Sequence, residues 1–365
     1  MATIDPTKIQ SALEIPPPGS QFVGWSTSGL VEVYCGTSDG DVDAQPSAQE
    51  LLATESDTGT LANADYIYQQ LSALYGGIQL PDLQSPSGNT VKCVVFVSGS
   101  GQGGYGAFHI PGTQADFDRI VVDSMNASGN YSSNSSLGTA MAPEAVSLPR
   151  LFPAHRGNSD IRSRAVVLRA DAPATGRQFL STALFAAEAV ESFETLTGKA
   201  DPGQTDGEAV SRVLAFKLAP EIILIDGFSA GVAQQWWNDG QPDFVNDNSQ
   251  NDQSIDGNGC GVMFLLYLTD FLGIPLDQIL AAMPATNGAP LGQTYVALLG
   301  SHPELALVAG ADGPSAFQSM LTLLQHNATN PDGSLNLPAD GNPFPAIQGA
   351  KQGGLFTPQA ASPTS

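Results

Sequence analysis

The stretch 179–196, FLSTALFAAEAVESFETL, closed by Thr197-Gly198, decides how the rest of the chain is read. Its composition predicts one long helix, and Gly198 supplies the stop. At about 100° per residue, Glu188, Glu191 and Glu194 fall within about 120° of one another, and Leu180, Ala183, Leu184 and Ala187 share that side. Three carboxylates therefore continue an apolar stripe. Two readings are open at this point. Carboxylates in apolar surroundings hold a proton, pair with cations or bind metal, because an isolated buried charge is costly. Alternatively, the last turns of the helix emerge into solvent and the glutamates simply wet them.

Outward from this helix, the chain reads as a sheet-containing half followed by a helical half. Residues 1–20 form an extended arm ending in Pro16-Pro17-Pro18-Gly19. Residues 22–34 predict a first strand or hairpin turning near Ser28-Gly29, and 36–45 predict a loop with Asp39, Asp41 and Asp43 at alternate positions. A helix is expected over 62–75. The β-branched run at 91–97 predicts a strand buried on both faces. The glycines between Ser98 and Gly106 connect it to an edge segment at 107–110; they lack the Gly-Lys-Ser/Thr of a phosphate loop. Short strands are expected at 119–122 and 165–169, with a polar excursion over 124–160. Helices then follow at 208–218, 261–272, 276–282, 291–299 and 314–325. The resulting division is an arm at 1–20, a sheet-containing subdomain at 21–200, a helical subdomain at 201–326 and a Pro/Gly-rich tail at 327–365.

The chain has 365 residues, 42% of them hydrophobic, enough for a full core. Its 36 acidic against 13 basic side chains give a net charge of −23, which repels nucleic acid and anionic lipid and attracts cations. The apolar run beginning at Val262 is too short to span a bilayer, so no membrane insertion is expected. The first residues of the sequence given carry no signal-peptide pattern. With charged residues only 13% of the chain, the surface is rich in uncharged polar groups and compatible with an extracellular or virion or particle surface. Cys35, Cys93 and Cys260 are an odd number. They read either as one bridge, Cys35 to Cys93, plus a lone thiol, or as three buried small apolar residues.

Two later segments carry chemistry. Asp206-Gly207-Glu208 opens a helix in which Asp206 is the expected N-cap, and Glu208 stands four residues before Arg212, the spacing of an ordinary ion pair. The stretch 242–259 holds Asp243, Asp247, Asp252 and Asp256 among Asn246, Asn248, Asn251 and Asn258. Such an oxygen-rich loop suits Ca²⁺ or another divalent cation, or is a solvated Asx-rich turn. Trp236 and Trp237 beside it offer a sugar-stacking surface or a core contribution.

The order of strand 91–97, edge segment 107–110, strand 119–122, Glu-bearing helix and second helix with Glu208 resembles the zincin metallopeptidase fold. The segments Glu188-Ala189-Val190-Glu191-Ser192-Phe193-Glu194, Gly207-Glu208-Ala209-Val210-Ser211-Arg212, Asp243-Phe244-Val245-Asn246 and Gly259-Cys260-Gly261-Val262-Met263-Phe264-Leu265 look like those of a group of bacterial zincin-like proteins. The resemblance implies an α+β fold with a small mixed sheet and a central helix. It places the first zinc ligand at Val190, the general base at Glu191, the second ligand at Glu194 and a third at Glu208. Glu188 adds a further carboxylate beside them. Valine has no ligating atom, and carboxylates without imidazole favour harder cations than zinc. The resemblance thus implies a degenerate site and a role in protein binding or self-assembly through the terminal arms. A metal-dependent hydrolase using Glu191 is the enzyme alternative, with His109 as a ligand brought in from the edge segment. A third reading rests on Gly227-Phe228-Ser229-Ala230-Gly231, which has the spacing of a serine-hydrolase nucleophile elbow.

Overall fold

The computed structural model describes residues 20–37, 44–53, 63–85, 87–98, 107–109, 165–169, 180–219, 230–249, 254–285, 288–337, 342–344 and 355. The predicted strand at 119–122, the excursion at 124–160, nearly all of the arm, Ser229 and Asp252 lie outside them. The chain divides into two compact units, Met1–Gln69 with Leu80–Ser192, and Gln70–Gln79 with Phe193–Ser365. The division falls within the Glu-bearing helix itself, where the sequence reading placed it between residues 200 and 201.

The first unit holds a five-stranded mixed sheet in the order β1-β2-β5-β7-β6. Strands β1 (Ser20–Trp25) and β2 (Val31–Gly36) form the expected antiparallel hairpin. Its turn is closed by Ser26 N–H donating to Val31 O at 2.9 Å, with Gly29 at φ +72°, a left-handed conformation that glycine adopts without strain. Strands β3 (Leu83–Gln84) and β4 (Thr90–Val91) make a separate small hairpin. Strand β5 (Cys93–Ser98) runs parallel to β2, and β7 (Ala165–Arg169) runs parallel to β5. The short β6 (Ala107–His109) lies antiparallel on the outer side of β7, at the sheet edge.

Every residue of β2 is buried, as for a strand covered on both faces. On one face lies helix α1 (Ala44–Leu52), with Ala44, Ala48 and Leu51 fully buried and Leu52 packed on Gly24. This helix falls partly where the sequence predicted a loop. Pro46 stands in its first turn, where a missing N–H costs nothing. Helix α2 (Ala64–Leu74) begins where predicted and is capped by Asn63, whose Oδ1 accepts from Tyr66 N–H at 2.8 Å.

Register decides the cysteine question. Cys93 pairs with Val31 and Cys35 with Val97, so the two thiols are four strand positions apart, roughly 13 Å. No disulfide can span that distance. All three cysteines are buried and none is bridged.

Helix α3 (Leu180–Thr197) carries the chain from the first unit into the second. The second unit is helical: α4 (Thr205–Leu218), α5 (Ala230–Asn238), α6 (Ile255–Leu266), α7 (Leu276–Ala282), α8 (Leu291–Leu298), α9 (Leu305–Ala309) and α10 (Gly313–Asn327). Its centre is α6, buried from Gly257 to Leu266. Glycines at alternate positions let it be approached from two sides. A Cβ on Gly261 would lie 2.7 Å from the Ala209 Cβ, and one on Gly257 2.8 Å from the Thr205 Oγ1, both on α4. A Cβ on Gly259 would lie 2.7 Å from the Trp236 Cβ on α5. Residues two apart on a helix point in nearly opposite directions and residues four apart share a face, so Gly257-x-Gly259-x-Gly261 is a two-sided packing device.

Past Leu266 the helix widens into a π turn over Tyr267–Phe271, where Leu272 N–H reaches back to Tyr267 O at 2.9 Å. The turn presents Asp270 to Lys217 of α4, whose Nζ donates to both carboxylate oxygens at 2.6 and 2.8 Å. The chain is therefore α+β, with its described strands in the first unit and its second unit helical. No helix among the described residues is long and apolar enough to cross a membrane.

Candidate functional site

The Glu-bearing helix forms where predicted and ends as predicted. Gly198, at φ +65°, turns the chain, and its N–H donates to Glu194 O at 2.8 Å. The burial differs from a one-sided stripe, because the whole of 182–190 is buried. Val190 and Glu194 are 0% exposed, Glu188 is 7% exposed and Glu191 is half-buried. The residues that reach solvent near the C-terminus are Thr195 and Leu196. The solvent-wetting reading therefore does not describe Glu188 or Glu194.

In the second unit, Phe193 stacks on Tyr75 with ring centroids 5.3 Å apart and planes 17° from parallel. Burial drives the Tyr75 hydroxyl pKa well up, and the charge of Glu194 adds to the rise. Glu194 thus belongs to a packed aromatic environment. Glu208 stands on α4 with its Oε2 2.9 Å from the Arg212 Nη2, the i,i+4 ion pair that its spacing allows.

Asp206 is not the N-cap of α4; Gln204 occupies that position. The helix starts two residues early, because the Thr205 Oγ1 accepts from Ser249 N–H at 3.0 Å and anchors the first turn. Asp206 is instead buried, accepting from Asp201 N–H at 3.1 Å and from the Asn248 Nδ2 at 3.0 Å. Burial, reinforced by the nearby charge of Asp201, pushes its pKa up to about 6.

Among the described residues of the Asx-rich loop, Asp243 turns both carboxylate oxygens toward the loop's own backbone and a neighbouring side chain. Asp243 Oδ1 accepts from Val245 and Asn246 N–H, both at 3.0 Å, and its Oδ2 accepts from the Asn246 Nδ2 at 2.7 Å. The Asn246 side chain wedges against Gly292 and Gly313, at the starts of α8 and α10. Asp247 is exposed. Asp256, in the first turn of α6, has its carboxyl pKa raised by burial and by Asp239, with which it shares a hydrogen bond. Among the described residues, no group of three or more His, Cys, Asp or Glu side chains is arranged to hold a metal ion. Glu188, Glu194, Glu208, Asp243 and Asp247 are all within that described set.

Trp236 and Trp237 offer no sugar-stacking surface. They are 0% and 6% exposed, and their indole N–H groups donate to Pro242 O and Gly333 O. His109 lies on the edge strand β6, in register with Val166. His302 contacts Gln278 and Glu304, and His326 contacts its own helix at Thr322 O.

One polar centre was not anticipated from the sequence. Glu32, on the sheet face opposite α1, is 0% exposed, yet its carboxylate meets four donors. The Tyr34 OH donates to Oε1 at 2.5 Å. Trp25 Nε1–H at 2.9 Å, Ser85 Oγ–H at 2.7 Å and Ser87 Oγ–H donate to Oε2. Burial alone would raise the Glu32 pKa; the hydrogen bonds from Ser87, Tyr34, Ser85 and Trp25 outweigh it and hold the group below its ordinary value. The only sequence signal was a lone Glu in an otherwise apolar strand, and its serine partners come from the β3–β4 hairpin more than fifty positions later.

No family model, curated protein or solved structure matches this chain.

Proposed function

We propose that the chain is a zincin-like scaffold with a degenerate metal site, acting through protein binding or structural assembly. The observation that carries this reading is the state of the three positions where zinc ligands would stand. Val190 is fully buried and has no ligating atom, Glu194 is fully buried beside the Phe193–Tyr75 stack, and Glu208 is paired with Arg212. A hydrolytic zinc centre needs three protein ligands and an open position for water. The order of elements supports the zincin-like part: parallel β5 and β7, an antiparallel edge strand β6, the Glu-bearing α3, then α4 with Glu208.

The test is metal analysis of the purified chain after equilibration with Zn²⁺ and with Ca²⁺, alongside a peptide-hydrolysis assay of the wild type and Glu191→Gln. The reading requires no stoichiometric zinc and no hydrolysis that depends on Glu191. One zinc per chain, with cleavage abolished by Glu191→Gln, would establish the metal-hydrolase alternative. Fluorophosphonate labelling lost in Ser229→Ala would establish the serine mechanism.

A further inference from the structure

After α10 the chain stays fastened to the helical unit. Gly333 O accepts from the Trp237 Nε1–H of α5 at 2.9 Å, the segment Asn342–Phe344 seats on the π turn, and Leu355 O accepts from Asp277 N–H in the first turn of α7 at 3.0 Å. The middle contact is the one that reads side chains. The Asn342 Nδ2–H donates to Asp270 Oδ2 at 2.9 Å, while its Oδ1 accepts from Phe344 N–H at 3.0 Å. The amide thus meets the carboxylate and closes its own turn, two roles that neither Asp nor Ala fills together. Phe344 is 1% exposed, its ring centroid 5.8 Å from that of Tyr267, and Pro343 between the two anchors is buried. In Gly341-Asn342-Pro343-Phe344-Pro345 each proline biases the residue before it toward extended backbone, so this short motif is ordered at low entropic cost.

The socket is held by groups other than the tail. Tyr267 stacks on Phe271 with centroids 5.3 Å apart and planes 14° from parallel, and its hydroxyl shares a hydrogen bond of 3.0 Å with Ser319 of α10. Both oxygens of Asp270 accept from the Lys217 Nζ of α4. Tyr267 and Asp270 both belong to the π turn, an irregularity that recurs at functional sites.

We infer that this socket is a peptide-recognition site for an Asn-Pro-Phe turn, filled in cis by the chain's own residues 342–344 and open to the same segment of a second copy. The occupant is selected by what sits there: every copy carries this segment, and exchanging an identical element between copies replaces each contact with the same contact. A tethered segment competes as though present at about millimolar concentration. The cis arrangement therefore dominates in dilute protein, and exchange grows as the protein concentration approaches that value. The inference supplies a contact for the assembly reading above, but it rests on the helical unit alone and would stand if the zincin-like reading fell.

The experiment uses the full chain and a fluorescent peptide with the sequence of residues 339–347. Full-length Phe344→Ala, whose own anchor is cut back, should bind the peptide saturably, and the wild type at least about tenfold more weakly because its own segment competes. Asn342→Ala in the full chain keeps the ring and loses the amide; it should bind the peptide with an affinity between those two, and it serves if Phe344→Ala does not fold. Within the peptide, Asn342→Ala should weaken binding about tenfold and Phe344→Ala about a hundredfold or more. Sedimentation of the wild type from about 10 µM to 1 mM, in about 300 mM NaCl to screen the repulsion between chains of charge −23, tests the second copy. A species of twice the chain mass should grow in toward the upper end of that range and be lost in Phe344→Ala or with excess peptide. Absence of peptide binding to both full-length variants would overturn the recognition site. A monomer throughout, or a dimer indifferent to Phe344→Ala and to the peptide, would overturn the second copy as its partner.

Discussion

Gly259 of α6 lies so close beneath the carbonyl of Val232 on α5 that a Cβ at this position would be less than 3.0 Å from that oxygen. The obstacle is backbone, which cannot swing aside as a side-chain tip would. Gly259→Ala should therefore destabilise the chain by about 2–4 kcal/mol, the upper range for overpacking a tight core. Gly203→Ala, where the nearest atom would be the Asp201 Oδ1 at 3.6 Å, should change stability by less than about 1 kcal/mol. Urea denaturation of the two variants compares them directly. Equal losses would mean that the α5–α6 crossing opens to accept a methyl group.

The same glycines show what could be read beforehand. The helix at 276–282, the strand at 165–169, the turn at Ser28-Gly29 and the long helix ending at Gly198 were legible because local signals suffice: periodicity, β-branched runs and glycine stops. Helix α1 was not, since its Pro46 and the preceding Asp39, Asp41 and Asp43 pattern argue locally for a loop, while burial of Ala44, Ala48 and Leu51 is a tertiary effect. The glutamates of α3 were found, but their depth was not, because periodicity cannot separate a one-sided stripe from a helix buried all round. Glu32 was missed because its four donors come from Trp25, Tyr34, Ser85 and Ser87, which only the folded sheet brings together.

Replacing Glu32 should be costly out of proportion to its size. Glu32→Gln puts an amide N–H₂ against groups that all donate, leaving buried donors unsatisfied, and should cost about 2–4 kcal/mol. The pH dependence follows from the direction of the shift. The folded-state pKa lies below the ordinary value of 4.5, so the group's contribution is fully present above that value. It is lost as pH falls through the folded-state pKa. Wild-type stability should thus decline below about pH 4.5, and Glu32→Gln should decline less steeply. Parallel slopes in urea titrations would show that folding leaves the pKa of this carboxylate unshifted, and a steeper decline in Glu32→Gln would show that it is protonated in the native protein.

Asp206 should act in the opposite sense. Its folded-state pKa is raised to about 6 from 3.8, so between those values the native state holds a proton that the unfolded state has released. Stability contributed by this group is greatest in acid and falls as pH rises from 4 to 6, by on the order of 2 kcal/mol. Asp206→Asn removes the titration and should flatten that part of the profile, with its gain over the wild type appearing at pH 7 and vanishing near pH 4. Chemical-shift titration of the Asp206 carboxyl carbon gives the value directly. A midpoint near 4 would remove the basis of the prediction.

Half-buried Lys217 and buried Asp270 form an ion pair whose replacement separates the cost of breaking it from its net worth. The two carboxylate oxygens of Asp270 are held by the Lys217 Nζ, and the Asn342 Nδ2 donates to Oδ2 at 2.9 Å. Lys217→Met leaves the buried carboxylate without its counter-charge, with the Asn342 amide still in place, and should cost about 3–5 kcal/mol at pH 7. The double variant Lys217→Met/Asp270→Leu removes both charges and should recover most of that loss, to within about 1–2 kcal/mol of the wild type. Burial already raises the Asp270 pKa despite Lys217, so removing the lysine must raise it further. The single variant's deficit should therefore shrink as pH is lowered from 7 to 5, because the stranded carboxylate can take up a proton, while the double variant's deficit stays constant. A double-mutant cycle at both pH values measures this; a deficit independent of pH would show that the loss comes from packing around the lysine stem and not from the stranded charge.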